Sequence, residues 1–74
     1  MPQQNNMNQI REIVENITEC ADELLSKGRG NLNLIEQGQL LAYAEALSII
    51  RDTLAGYDLT EVSLDFDIDA KYLT

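Results

Sequence analysis

Two stretches of about twenty residues, each with apolar side chains every three or four positions, flank Gly28-Arg29-Gly30-Asn31, and this leaves few folds open. In the first stretch Met7, Ile10, Ile13, Val14, Ile17, Cys20, Ala21, Leu24 and Leu25 share one face at the helical period. The spacing predicts a helix over 6–27, opened by Asn6 with Gln9 in the capping-box position. Gly28 then stands where a helix C-terminus takes a residue at positive φ, so the chain turns over 28–32. Asn33 and Glu36 form a second capping-box pair and open a helix over 34–55, which Gly56 ends. Two helices of that length, about 30 Å each, joined by a short turn, must lie antiparallel.

The second helix is apolar round more of its circumference than one partner helix can cover. Leu40, Tyr43, Ala44, Leu47, Ile50 and Leu54 form one stripe, and Gly38, Ala42, Ala46 and Ile49 form another, rotated from it. Small residues four apart admit the close approach of a further helix. Below about 70–80 residues a lone core supplies only ~3–5 kcal/mol, so a chain of this size wants a staple. One cysteine and no histidine leave neither a disulfide nor a zinc site for that purpose. The expectation is a mainly all-α fold: a hairpin that dimerises into a four-helix bundle, with Gly38, Ala42, Ala46 and Ile49 in the interface.

After Gly56 the period changes. Val62, Leu64, Phe66, Ile68 and Ala70 alternate with Ser63, Asp65, Asp67 and Asp69, which is the period of a strand. A lone strand cannot leave its backbone unpaired, and pairing with its own copy would align aspartates across the ladder. The segment 57–74 is therefore expected to lie extended along the hairpin, with Phe66 inserted between helices, or between hairpins of the dimer. Asp65, Asp67 and Asp69 would then form an acidic recognition edge. Within this segment Asp58-Leu59-Thr60-Glu61 can make a turn of helix, Lys71-Tyr72-Leu73-Thr74 can make a last turn capped by Asp69, and Tyr57 is expected to pack back on helix two.

Thirteen acidic against five basic residues give a formal charge of −8, which disfavours direct contact with phosphate backbones or anionic lipid. No apolar run approaches the roughly 20 residues of a membrane span, and Met1-Pro2-Gln3-Gln4-Asn5-Asn6 lacks the basic and apolar regions of a secretion signal. A cytoplasmic setting, where a lone thiol stays reduced, is expected. Asp65-Phe66-Asp67-Ile68-Asp69 copies the first ligand positions of a calcium loop but has Ala70 where the loop needs Gly, and the chain stops short of the bidentate Glu. No metal or cofactor is expected.

Catalysis is not expected either, since without histidine a nucleophile has no imidazole base. Cys20 falls inside the apolar stripe and is read as core, while Glu15 and Glu19 are read as a wet face. Arg11 with Glu15 and Glu23 with Lys27 have the spacing of surface ion pairs within one helix. Arg29, between two glycines at the hairpin tip, is read as a solubilising charge.

The runs Leu24-Leu25-Ser26-Lys27-Gly28-Arg29-Gly30-Asn31-Leu32 and Glu36-Gln37-Gly38-Gln39-Leu40-Leu41-Ala42-Tyr43-Ala44-Glu45-Ala46-Leu47, with the ending Leu64-Asp65-Phe66-Asp67-Ile68-Asp69, resemble small proteins carried on phages and conjugative elements of Gram-positive gut bacteria. The resemblance implies a mobile-element setting and brings no activity and no site residues. Two functions are compatible with these features. One is a non-enzymatic protein-protein interaction module, homodimeric and acidic. The other is an inhibitor that imitates nucleic acid and occupies a basic groove on a nuclease or DNA-binding protein.

Overall fold

The computed structural model describes the backbone of residues 4–73 and the side chains of residues 7–73. It is mainly helical: α1 (Gln4–Leu25) and α2 (Leu34–Thr53) pack against each other, and a short α3 (Ile68–Tyr72) follows. One 3-10 turn, Arg29–Asn31, joins the long helices, and another, Leu59–Val62, links α2 to the final segment. The described residues contain no strand. Asn6 lies inside α1, and its expected capping bond falls outside the described side chains.

The local signals act where the chemistry places them. At α2 the Asn33 side chain accepts from the Glu36 amide at 2.8 Å and Glu36 Oε1 accepts from the Asn33 amide at 3.1 Å, so both capping-box bonds are present. Lys27 at the end of the first helix bonds the same Glu36 carboxylate and, with the Asn33 amide, holds it below the usual carboxylate range. Gly28 adopts φ 87° and Gly56 φ 96°, backbone that side-chained residues rarely tolerate. The helices stop two residues early, at Leu25 and Thr53, because the last turns tighten: the Lys27 amide reaches Leu24 O at 3.1 Å and the Ala55 amide reaches Asp52 O at 3.2 Å.

Each long helix buries the face its period specified. Val14, Ala21 and Leu24 of α1 meet Leu40, Ala44 and Leu47 of α2 in the core, with Leu54 just past the end of α2, and Met7, Ile10, Ile17, Leu25, Tyr43 and Ile50 are packed at its margin. Two members of the α1 stripe depart from expectation. Ile13 is 53% exposed and Cys20 is exposed, because both project from the flank of the apolar arc rather than its centre.

The extended tail is a correction. Its apolar residues do turn inward, but through turns and a helix instead of a strand. The 3-10 turn Leu59–Val62 is N-capped by Asp58, whose carboxyl the Thr60 side chain and amide hold below its ordinary range. It ends at Ser63 in the left-handed region, φ 60°, where the Leu64 amide bonds Leu59 O at 2.9 Å. After an irregular step Asp67, and not Asp69, caps α3 by accepting from the Ala70 amide at 3.1 Å. Ile68 and Tyr72, one helical turn apart, then point into the core beside Val62 and Leu64. With no strand beside it among the described residues, this backbone satisfies its hydrogen bonds locally.

The aromatic that enters the core is Tyr72, 1% exposed; Phe66, expected between the helices, is half-buried and meets Tyr72 edge-on at 6.2 Å. Phe66 precedes the cap of α3, so its ring covers the margin of the core while Lys71 Nζ sits 4.9 Å from its centroid. The Tyr72 hydroxyl donates to Asp22 Oδ1 at 2.8 Å, and Lys71 reaches the same oxygen at 3.3 Å. Tyr57 is 62% exposed and does not fold back on α2.

Truncating these aromatics should rank them. Tyr72→Ala is expected to cost about 3–5 kcal/mol and Phe66→Ala about 1–2 kcal/mol in chemical denaturation, and equal losses would contradict the placement of the two rings. Burial, and then the Asp22 carboxylate, push the Tyr72 phenol above its ordinary value, so the folded chain keeps a proton that the unfolded chain releases. That contribution is whole below pH about 10 and is lost as pH rises further. Tyr72→Phe, which cannot ionise, should therefore lose less stability than the parent between pH about 9.5 and 11.

Candidate interaction surface

With α1 and α3 packed against α2, one side of α2 is left without cover by the described residues. Counting about 100° per residue, Leu34, Ile35, Gly38, Leu41, Ala42, Glu45 and Ile49 fall on that side. Leu34 is 84% exposed, Ile35 73% and Ile49 66%, and Leu41, Gly38 and Ala42 are exposed as well. Ala46 is half-buried at the border with α1. The residues expected at an interface, Gly38, Ala42, Ala46 and Ile49, are thus neighbours on one helix face, and Phe66 lies elsewhere, against Tyr72 and Lys71.

Gly38 is informative because nothing inside the molecule requires it. It is not at positive φ, and a Cβ added there would meet no atom within 4 Å. A glycine in a helix interior costs about 0.8–1 kcal/mol relative to alanine. Leu34, Ile35 and Leu41 were missed in the sequence because the stripe was started at Gly38 and followed through Ala42, Ala46 and Ile49; extending the same period one turn back from Gly38 reaches Ile35.

Two grooves border this face. Toward α1, at the open end of the hairpin, Ile10, Ile13, Ile49, Ile50, Thr53 and Leu54 line an apolar depression of about 230 Å³. Toward α3, Leu41, Glu45, Ser48, Ile49, Asp52, Asp69 and Leu73 line a wider one of about 460 Å³. Of the acidic edge, Asp69 belongs to this second groove. Asp65 is exposed, and Asp67, also exposed, is occupied as the cap of α3.

Several charged groups that resemble surface decoration in the sequence are ties between elements. Arg29 spreads its guanidinium over the end of α3, donating to Tyr72 O at 2.9 Å and to Lys71 O at 2.5 Å. It is not a free solubilising charge. Lys27 pairs with Glu36 across the turn, and Glu15 accepts from Ser63 Oγ at 2.9 Å. Among the described residues no three cysteine or acidic side chains gather as a set that could hold a metal ion, and no helix is long and apolar enough to cross a membrane.

The chain matches no protein-family model, no curated protein and no solved structure. The surface has to be interpreted from its own chemistry.

If Gly38 serves nothing within one copy, Gly38→Ala should raise the stability of the monomer by about 1 kcal/mol, measured by denaturation under dilute conditions. A loss of stability there would mean that the position is crowded by its own chain.

Proposed function

We propose that this chain is a non-enzymatic interaction module that works as a homodimer, two hairpins joining through the outer face of α2 into a four-helix bundle. The observation that carries this is the exposure of Leu34, Ile35, Leu41 and Ile49 on one side of a helix whose other sides are packed. Each large apolar side chain of this kind gains about 1.5–3 kcal/mol on full burial, so the face favours a protein surface over water. Gly38 and Ala42 between them let a second backbone come close. The acidic surface that remains, with Asp65 before α3 and Asp69 in its first turn, is what the dimer offers to a protein partner.

Imitation of nucleic acid is the weaker function for these carboxylates. A mimic needs acidic groups free to meet cations, whereas Glu36, Asp58 and Asp67 cap helices, Asp22 holds Tyr72 and Lys71, and Glu15 is bonded to Ser63.

In sedimentation equilibrium the parent should be a dimer at micromolar concentration. Ala42→Glu, which places a charge at the centre of the face while keeping a good helix former, should be monomeric with an unchanged helical spectrum. A parent that stays at 8.3 kDa at high concentration, or an Ala42→Glu variant with the parent's mass, contradicts the proposal.

A further inference from the structure

We infer that the dimer is antiparallel, and that Ile35 of each copy seats in the apolar groove between α1 and α2 of the other. This rests on the homodimer through α2 proposed above and adds its geometry. The groove of Ile10, Ile13, Ile49, Ile50, Thr53 and Leu54 lies at the open end of the hairpin, and the 73% exposed Ile35 lies at the opposite end of the same helix face. A two-fold axis crossing α2 at Ala42 carries residue 35 to the level of the partner's residue 49, since both stand seven positions, about 10 Å, from the axis. The same operation sets Gly38 level with the partner's Ala46. A two-fold interface must be self-complementary, and one copy here carries both the projecting side chain and its receptacle, at opposite ends of one helix face.

Charge selects the same orientation. At the hairpin tip Lys27, Arg29 and Lys71 are balanced by Asp22, Glu23 and Glu36, two of them already paired with Lys71 and Lys27. At the other end, where α1 starts and α2 finishes, Arg11 and Arg51 stand against Glu12, Asp52, Asp58 and Glu61, and Arg51 is paired with Asp52 at 3.2 Å. Antiparallel packing sets the balanced end of one copy against the acidic end of the other. Parallel packing would stack the acidic ends.

Disulfide trapping in a Cys20→Ser background tests the geometry. Ala42→Cys, on the axis, reports whether α2 meets α2 at all. Ile35→Cys and Ile49→Cys are oxidised separately and as a mixture. The expected result is that Ala42→Cys crosslinks to itself, and that the mixture forms a dimer joined between residues 35 and 49 while neither variant alone does so. Self-crosslinking of Ile35→Cys overturns the inference in favour of a parallel dimer. Crosslinking at Ala42→Cys without the 35–49 product overturns the seating of Ile35. A Cys20→Ser parent that sediments as a monomer removes the homodimer itself, and a dimer in which Ala42→Cys does not crosslink moves it to another face. Either result refutes this inference together with the proposal beneath it.

Discussion

The fold depends on Tyr72. Its ring enters a core that two helices alone would leave open on one side, and its hydroxyl is anchored on Asp22 of α1. The neighbouring groups hold the same closure: Lys71 shares the Asp22 carboxylate, and Arg29 of the hairpin turn binds the last carbonyls of α3. Arginine suits this position because its planar fork can serve two carbonyls at once while its charge complements the C-terminal end of a helix. The end of α1, the hairpin turn and the distant tail are thereby tied at one point. With the tail fastened there, Val62 from the turn packed on α1, Leu64, and Ile68 from α3 packed on α2 complete the core.

That closure decides what is left outside. α1 takes one side of α2 and α3 another, so the stripe the tail cannot reach is the one bearing Ile35, Gly38, Ala42 and Ile49. Isolated exposed apolar residues on a protein need no explanation, but several on one helix face, with an unforced glycine among them, are what the proposed interface rests on. The interaction proposed for this protein follows from how its own core is closed.

The two helices were legible because period and punctuation agreed. The Asn33/Glu36 box, the positive φ of Gly28 and the stripe from Leu40 to Leu54 are local chemistry, and the structure contains each of them. The tail misled for a physical reason. Alternation at 62, 64, 66 and 68 states which residues turn inward, not which backbone turns them, and a strand requires a neighbour that composition does not reveal. A left-handed Ser63 and the Asp67 cap deliver nearly the same burial pattern, with Tyr72 in the place assigned to Phe66. The roles of Arg29, Asp22 and Glu15 were illegible because each depends on a partner more than forty residues away. The unpartnered face lay between these cases: Gly38, Ala42 and Ile49 were visible by period, whereas Leu34 and Ile35 at the helix start and Leu41 beside the stripe were not.

The most direct test of an exposed, self-binding α2 face is an isoleucine-methyl NMR dilution series, because isoleucines lie both on and off that surface. Signals from Ile13, Ile35 and Ile49 should shift as the protein is diluted, while Ile68, fully buried beneath the tail, should hold its position. Spectra that do not change with concentration, or shifts concentrated at Ile68, would contradict the account.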